Sequence, residues 1–297
     1  MEYGDQDPDI LFSVIIPAYN CNKSIALTLN SVQQQTFQNF ELIIIDDGST
    51  DNTRKTIEEH PVFSECKYYY QANMGVCAAR NEGAARSSGK YLIFLDSDDI
   101  VKETWLEDFY EASMENDYDI IRCKMERNDN YGKNLKNSLI VPEENFGAYP
   151  FSAGTFIIKR SFFYEVGQYD ENLKYGENTE LSFRISEERI KVKIVDKVNF
   201  IYATSLNGGS KNLKNIIHSN YYILNKHPNW FKKRRRAIKI YLQSTAVACY
   251  KLNRFSEAQH LLLKAALIKP IDFKSWVRLI VSYIPPLGKK LWKKKDN

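Results

Sequence analysis

The feature that most constrains the fold is a short apolar run that leads directly into a group of carboxylates. Tyr91 to Leu95 is apolar, and Asp96, Asp98 and Asp99 follow at once. A run of this length is typical of a strand buried on both faces. Open α/β sheets bind their ligands at the carboxyl ends of their strands. The carboxylates therefore form either an ordinary acidic turn or helix cap, or a site where a bound divalent cation offsets their repulsion.

Two further predicted strands end in a similar way. Phe12 to Ile16 runs into Pro17, and Phe40 to Ile45 runs into Asp46. Helical patterns separate the strands, and this alternation predicts a doubly wound, mostly parallel α/β sheet. The other predicted strands are Lys67–Tyr70, Thr155–Lys159 and Val192–Val195. The predicted helices are the Ile25, Leu29, Val32 stripe with Asn22 as its cap, then Asp51–Glu59, Gly75–Ser87 and Lys102–Glu115.

The later part of the chain has a different character. The polar stretch from Lys124 to Pro150 predicts a long loop. After about residue 211 the pattern becomes helical, with a predicted hairpin of Ala237–Lys251 and Ser256–Ile268 that resembles one tetratricopeptide-type helix pair. We therefore expect a sheet domain over residues 1–210 and a basic helical extension over residues 211–297.

Charge divides at the same boundary. Residues 211–297 hold 20 Lys and Arg against 3 Asp and Glu, a net charge of +17, and residues 1–210 have a net charge of −13. The basic segments 231–236 and 287–295 carry interleaved apolar residues, which suits an anionic membrane surface. The alternative is a solvated, partly frayed tail. Nucleic acid is not an expected partner, because no recognised binding module accompanies the charge.

The cysteines and the N-terminus bear on location. The five cysteines are scattered, with no Cys-x-x-Cys pair, which favours reduced thiols. The first nine residues are acidic and lack a signal-peptide pattern, and no apolar run approaches the roughly 20 residues that span a bilayer. We expect a cytoplasmic protein, peripheral on the inner face of the cell membrane if the basic segments dock there.

The three strand ends together predict one ligand site, because the carboxyl ends of parallel strands meet at the same edge. The Gly-rich patterns of dinucleotide and phosphate loops are absent from the sequence. Phosphates at this edge would be neutralised by a metal and by side chains. Mg²⁺ and Mn²⁺ prefer oxygen ligands and are often held by one or two carboxylates with substrate phosphates.

Four motifs carry a resemblance to the family 2 glycosyltransferases over roughly residues 12–205. They begin at Val14 (Val-Ile-Ile-Pro-Ala-Tyr-Asn), Asp46 (Asp-Asp-Gly-Ser-Thr-Asp), Asn73 (Asn-x-Gly-x4-Arg-Asn-x-Gly) and Gly89 (Gly-x-Tyr-x3-Leu-Asp-Ser-Asp-Asp). The resemblance implies a GT-A fold, a nucleotide-sugar donor, Mn²⁺ or Mg²⁺ as cofactor, and inversion at the anomeric carbon.

The resemblance also implies roles for single residues. Asp47 would accept a hydrogen bond from the uracil N–H, unless it only closes the turn before Gly48, a task that Asp46 could also serve. Asp98 would ligate the metal, with Asp99 behind it or capping a helix. Arg80 would neutralise phosphate or hold Asp96, or else it is a surface residue. The implied nucleotide-sugar-binding set is Pro17, Ala18, Tyr19, Asp47, Arg80, Asp96 and Ser97, in which Tyr19 packs near the base and Asp96 faces the ribose.

The catalytic base is less clear from the sequence. The stretch from Tyr175 to Leu181 matches the family's Glu-Asp pair, but Asn178 stands where the Asp is usual. A neutral amide cannot act as a general base. Three readings follow: Glu177 is the base, Glu180 serves instead from three residues along the same helix face, or the protein is inactive. Both glutamates also suit the first turn of a helix on dipole grounds alone.

These observations predict an inverting, metal-dependent hexosyltransferase. It would move sugar from a nucleotide-diphosphate donor, with a UDP-sugar favoured, to a hydroxyl of a glycan or lipid-linked acceptor in cell-surface polysaccharide synthesis. The rival is a non-catalytic nucleotide-sugar-binding or scaffolding protein, motivated by Asn178. A nucleotidyltransferase is a weaker rival, since it would need a Gly-rich phosphate loop after the first strand.

Overall fold

The computed structural model of the protein describes residues 10–128, 151–203 and 212–284, together with Trp292. Its strands over these residues are β1 Phe12–Ala18, β2 Phe40–Asp47, β3 Cys66–Gln71, β4 Tyr91–Phe94, β5 Ile100–Val101, β6 Ile120–Asn128, β7 Phe156–Lys159 and β8 Val192–Ala203. Its α-helices are α1 Ile25–Gln33, α2 Thr53–Glu58, α3 Val76–Ala85, α4 Trp105–Glu115, α5 Arg160–Glu165, α6 Glu177–Ile185, α7 Leu213–Lys226, α8 Pro228–Lys232, α9 Arg235–Lys251, α10 Phe255–Ile268 and α11 Phe273–Ser282.

The described strands form a single sheet in the order β3-β2-β1-β4-β7-β6-β8-β5. The four strands from β3 to β4 are parallel, as the alternation of strands and helices predicts. The other half is mixed, because β7 runs antiparallel to β4 and β6, and β5 runs antiparallel to β8. The prediction of an α/β sheet followed by a helical extension is confirmed, with parallel pairing concentrated in the first half.

The parallel strands are buried on both faces. Every residue of β1 and of β4 is buried, and so is every residue of β2 after Phe40. Helix α3 approaches β1 closely because residue 83 is glycine. A Cβ at Gly83 would lie 2.3 Å from Cγ2 of Ile15. This close approach fixes the position of the α3 side chains that face the carboxyl edge of the sheet.

The amino-terminal edge of the parallel strands is held by one buried carboxylate. Glu41 accepts hydrogen bonds from the Ser13 hydroxyl at 2.6 Å, from the Ser88 backbone at 2.6 Å and from Lys67 Nζ at 2.6 Å. Burial alone would raise the pKa of Glu41, but these hydrogen bonds lower it to about 2. Glu41 therefore ties the starts of β1, β2 and β3 to the turn that leads into β4.

Two local predictions are wrong. Asn22 does not cap α1, because the N-cap position is Ser24 and its side chain makes no capping hydrogen bond. Lys124 does not begin a loop, because β6 continues through Asn128. The rest of the predicted loop, residues 129–150, lies outside the described part of the chain.

The described residues form two compact units. One contains the sheet, up to Asn172 and again from Glu177 through β8, and the other contains Leu173–Gly176 and helices α7 to α11. The helical unit has its own core, in which the predicted pair α9 and α10 contributes Ala246, Cys249 and Leu262. Among the helices that the structure describes, none has the length and apolar composition needed to cross a membrane.

Candidate active site

The turns after β1 and β2 are joined through one asparagine side chain. Asn20 Oδ1 accepts from the backbone N–H groups of Thr50 at 2.8 Å and Asp51 at 3.3 Å. The Asn20 N–H donates to the Ser49 hydroxyl at 3.0 Å. Asn20 has φ +47°, a left-handed conformation that asparagine tolerates better than most residues. The two turns therefore behave as one rigid element at the carboxyl edge.

The neighbouring aspartates of β2 have different tasks. Asp46 is buried, accepts the Ser49 N–H at 2.8 Å and accepts the Tyr68 hydroxyl at 2.7 Å. Asp46 is thus the residue that closes the turn. The Asp47 carboxylate instead accepts from Gln71 Nε2 at 2.7 Å and from the backbone N–H groups of Met74 at 2.9 Å and Gly75 at 2.8 Å.

Asp47 therefore orders the loop that leads into α3. A carboxylate has about four lone-pair sites, and three hydrogen bonds from the protein leave room for one more donor. Tyr19 is 51% exposed at the end of β1, whereas Pro17 and Ala18 are buried within it. The uracil contact of Asp47 and the stacking role of Tyr19 stay predictions.

Arg80 lies at the centre of the site. Its side chain is 1% exposed, its Nη1 donates to Glu177 Oε1 at 2.9 Å, and its Nη2 donates to Asp96 Oδ1 at 2.6 Å. Burial alone would lower the pKa of Arg80, but the charge of Asp96 raises it well above the ordinary value, and Glu177 adds to this effect. Arg80 is therefore a buried cation that holds Asp96, and the interpretation as a surface arginine is wrong.

The turn after β4 presents its carboxylates unevenly. The Asp96 side chain is 38% exposed, Asp98 is half-buried, and Asp99 is 2% exposed with its backbone carbonyl accepting from Thr28 Oγ1 at 2.8 Å. Ser97 hydrogen-bonds the Cys21 thiol, whose pKa is raised by burial. Asp96 and Asp98 are thus the carboxylates of this turn that solvent can reach.

The donor set limits how a divalent cation could bind. In the part of the chain that the structure describes, no three His, Cys, Asp or Glu side chains gather into a metal-binding group. The carboxylates of Asp96 and Asp98 nevertheless offer oxygen ligands of the type that Mg²⁺ prefers, and Mg²⁺ is commonly held by one or two carboxylates with substrate phosphates. The residues therefore fit a cation shared with a diphosphate, rather than one held by protein alone.

Asn178 connects Glu177 to a tyrosine that the sequence did not single out. The Tyr169 hydroxyl donates to Asn178 Oδ1 at 2.8 Å, and Asn178 Nδ2 donates to Glu177 Oε1 at 3.0 Å. The Tyr169 ring lies under the Arg80 guanidinium, 5.1 Å from its centroid. Asn81 fixes the Tyr169 backbone by donating to its carbonyl and accepting from its N–H, both at 3.0 Å. In the sequence, the Arg80-Asn81 pair of the third motif was the only indication of these contacts with Tyr169.

Glu180 has a different role from the one expected. It is fully buried, and its carboxylate pairs with Arg184, which donates from Nε to both oxygens at 3.1 Å and from Nη2 at 2.8 Å. Arg184 also donates to the carbonyls of Val166 and Gln168. Because an acceptor hydroxyl has no exposed surface of Glu180 to reach, the geometry favours Glu177 over Glu180 as the base.

Known proteins resemble this chain in sequence. The sequence model described as "Glycosyl transferase family 2" matches residues 13–169. An uncharacterized glycosyltransferase of Rickettsia bellii is 32% identical over 231 residues, which cover 72% of this chain and 33% of the relative. The putative teichuronic acid biosynthesis glycosyltransferase TuaG of Bacillus subtilis is 41% identical over 107 residues, covering 35% of this chain and 42% of TuaG. The matches thus span about a third to two fifths of these relatives.

Solved structures show the same fold. The crystal structure of S. aureus TarS 1-349 matches with a TM-score of 0.58 and 20% identity, covering 95% of this chain and 82% of that one. The structure of the same protein in complex with UDP-GlcNAc matches with a TM-score of 0.59 and 17% identity, covering 95% and 91%. The prediction of a GT-A-type sheet with a helical extension is confirmed by this likeness.

Proposed function

Because the chain belongs to glycosyl transferase family 2, we propose that it transfers a sugar from a nucleotide-diphosphate donor to an acceptor hydroxyl, with inversion at the anomeric carbon. The observation that carries the proposal is that the Arg80 guanidinium forms two ion pairs at once. It brings a donor-side carboxylate, Asp96, and an acceptor-side carboxylate, Glu177, onto one buried cation at the carboxyl edge of the sheet. A glycosyltransferase needs a group on the donor side and a group on the acceptor side, both within reach of the sugar that is transferred.

A UDP-sugar is the proposed donor. The family resemblance assigns Asp47 to the uracil N–H, and the spare lone pair of its carboxylate is compatible with that contact. The exposed ring of Tyr19 offers an apolar face for the base. A solved structure of similar fold contains UDP-GlcNAc, which supports a nucleotide-sugar donor for this chain as well. Pro17, Ala18 and Ser97 would line the same pocket through the turn backbone.

Mn²⁺ or Mg²⁺ is the proposed cofactor, which Asp98 would hold together with the donor diphosphate, while Asp96 beside it would face the ribose. When bound, the cation supplies positive charge that stabilises the leaving nucleoside diphosphate. Arg80 orients Asp96 through the 2.6 Å contact, so that the carboxylate is fixed before the donor arrives.

Glu177 is the proposed general base. Its described hydrogen bonds, from Arg80 and Asn178, both fall on Oε1. Oε2 is then the oxygen that takes the proton as the acceptor hydroxyl attacks. Asn178 keeps Glu177 in place through an amide N–H, where an aspartate would present a second negative charge. The departure from the family pattern is therefore compatible with activity.

The acceptor is proposed to be a glycan or a lipid-linked glycan of the cell surface. A relative named for teichuronic acid biosynthesis supports this class. An acceptor of this kind would be reached at the cytoplasmic face of the membrane, where the donor is also present.

The test is a transfer and donor-hydrolysis assay with a panel of UDP-sugars, with and without Mn²⁺. Donor binding is followed separately by thermal shift, since a ligand that binds the folded state raises its stability. Glu177→Gln should bind donor like the wild type and lose at least about a hundredfold in transfer rate. The matched control is Glu82→Gln, an exposed carboxylate that pairs with Arg86 within α3. Wild-type turnover by Glu177→Gln would exclude Glu177 as the base.

The rival function is non-catalytic binding of a nucleotide sugar, for which Asn178 is the motive. It predicts a thermal shift with UDP-sugars but neither hydrolysis nor transfer with any acceptor or cation. Metal-dependent release of UDP from any donor would remove this rival.

A further inference from the structure

Helix α11 exposes large apolar side chains while burying two of its serines. Its buried residues include Ser275 and Ser282, each 1% exposed. Its outer side carries Phe273 at 76%, Ile280 at 61% and Tyr283 at 63% exposure. A surface helix normally turns its apolar stripe towards the core. Ser275 and Ser282 thus face inward together with Leu279, whereas Phe273 and Ile280 face outward.

The orientation is specified by hydrogen bonds within the helical unit. Gln243 Nε2 on α9 donates to the Ser275 hydroxyl at 3.0 Å, and that hydroxyl donates to Asp272 Oδ2 at 2.8 Å. Gln259 Nε2 on α10 donates to the Ser282 carbonyl at 3.3 Å. Rotating the apolar stripe inward would break these contacts and bury Gln243 against aliphatic groups. The outward apolar stripe is therefore a built feature of the unit.

The apolar surface extends beyond the helix itself. Residues just before α11 are exposed as well, with Leu267 at 56% and Ile271 at 87%. Several large apolar side chains exposed along one short segment favour an interaction site more than a single exposed residue does. We call this surface the outer face, and it consists of Leu267, Ile271, Phe273, Ile280, Tyr283 and Ile284.

The positive charge around the outer face distinguishes between its possible partners. Residues 212–284 contain 14 Lys and Arg against 2 Asp and Glu. Lys269, Lys274 and Arg278 are exposed on the same segment as the outer face. A second copy of the chain that docked through the same face would bring the same positive charge to the contact and be repelled. An anionic lipid surface is complementary in both respects, since it accepts apolar side chains and attracts basic ones.

Two of the apolar residues in the basic segments, Phe231 and Trp292, pack within the helical unit. Phe231 is 2% exposed, and its ring packs edge-on against Trp230 and Tyr241. The Trp292 ring lies 4.4 Å from that of Tyr250. The remaining residues of segment 287–295 lie outside the described part of the chain. Within the described residues, the segment 231–236 can thus contribute charge, and the outer face supplies exposed apolar side chains.

We propose that the outer face is a docking surface for an anionic lipid bilayer, with α11 lying in the plane of the headgroups. The side chains of Phe273, Ile280 and Ile284 enter the acyl boundary, and Lys274 and Arg278 remain among the phosphates. The proposal does not depend on the transfer reaction. It concerns where the chain works and not what it does to the donor.

Vesicle flotation of the full chain is the direct test. The wild type should float with vesicles of phosphatidylcholine and phosphatidylglycerol and not with phosphatidylcholine alone, and high salt should weaken the binding. The double variant Phe273→Ser with Ile280→Ser should lose at least about tenfold in apparent vesicle affinity. Met114→Ser is the matched control, since Met114 is 68% exposed on α4 of the sheet unit, and it should bind like the wild type.

Trp276 supplies a fluorescence reporter on α11, where its ring is half-buried against the core of the helical unit and its Nε1 donates to the Pro270 carbonyl at 2.7 Å. Brominated lipids should quench wild-type fluorescence, and Trp276→Phe should lose most of that quenching while still floating. Wild-type protein that stays at the bottom of the gradient with anionic vesicles overturns the proposal. A double variant that floats like the wild type also overturns the proposal. The same holds if the wild type is a dimer, the double variant is a monomer and neither protein binds vesicles. Thermal shift with UDP on the same samples reports folding and donor binding independently.

Discussion

Replacing Arg80 with methionine tests whether one buried cation organises the site. Methionine preserves much of the side-chain volume of Arg80 but removes its charge and all its donors. The change removes two charge-assisted hydrogen bonds, of 2.6 Å to Asp96 and 2.9 Å to Glu177. Each such bond contributes roughly 1.5–3 kcal/mol.

The exposure of the two carboxylates sets the size of the effect. Asp96 is 38% exposed and regains water when Arg80 is lost, whereas Glu177 is 15% exposed and regains little. Breaking a buried ion pair from one side costs about 3–5 kcal/mol, and the partial exposure of Asp96 favours the lower end of that range. We therefore expect Arg80→Met to lower the free energy of unfolding by about 3 kcal/mol.

The same helix provides a control. Arg86 is 42% exposed, pairs with Glu82 at 2.6 Å and lies 4.0 Å over the Tyr69 ring. Exposed pairs of this kind contribute about 0–1 kcal/mol each. Arg86→Met should therefore cost at most about 2 kcal/mol.

Urea unfolding of the wild type and both variants at pH 7 gives the comparison, with transfer rate as a second readout. Arg80→Met should be the less stable variant and should lose transfer even at temperatures where it is fully folded. Equal stabilities of Arg80→Met and Arg86→Met would refute the argument that Arg80 neutralises both carboxylates. A folded Arg80→Met with wild-type transfer would refute its positioning role.

Three further predictions concern other sites. Because folding lowers the pKa of Glu41 from 4.5 to about 2, its contribution of about 3 kcal/mol is fully present above pH 4.5 and is lost as the pH falls towards 2. The difference in unfolding free energy between wild type and Glu41→Gln should accordingly shrink by roughly half between pH 7 and pH 3. Alanine at Gly154, where φ is +78° and a Cβ would lie 2.1 Å from the Phe200 ring, should lower stability by about 1–3 kcal/mol in urea unfolding at pH 7. Asn178→Asp places a second carboxylate beside Glu177, so the pH–rate profile of transfer should gain an ionisation that the wild type lacks, and an unchanged profile would contradict the contact.

The parallel half of the fold was predictable from local sequence. The apolar runs of β1, β2 and β4 are each buried as whole strands, and their polar ends share one edge because parallel strands end together. The mixed half was harder because its pairing partners lie far apart in the chain. Strand β8 was predicted over Val192–Val195 but continues to Ala203. Asn199 in this strand is a polar residue of the kind typical of loops. In the structure it is buried, and its side chain donates to Asp108 at 2.8 Å.

The candidate site was predictable in its residues more than in their environments. The motifs indicated Arg80, Asp96 and Glu177, but the burial of Arg80 depends on a partner 97 residues away. Glu180 illustrates the opposite error. Its spacing from Glu177 predicted a shared helix face, whereas in the structure Glu180 is fully buried and pairs with Arg184 four residues later. The spacing of Glu180 and Arg184 allows this ion pair, but its burial also involves the carbonyls of Val166 and Gln168 that accept from Arg184, and periodicity does not encode those contacts.

The two ends of the parallel strands have different roles, since one end ties the strands together and the other carries the candidate site. At one end Glu41 ties the starts of the strands with hydrogen bonds from Ser13, Lys67 and Ser88. At the other end lie the turns that carry Asp47 and Asp96. A strand of seven or eight residues holds these ends roughly 20 Å apart, beyond the distance at which substitutions usually couple. The thermal tolerance of the sheet can therefore be adjusted around Glu41 while the candidate site is altered around Asp47, so that the two ends can be engineered independently.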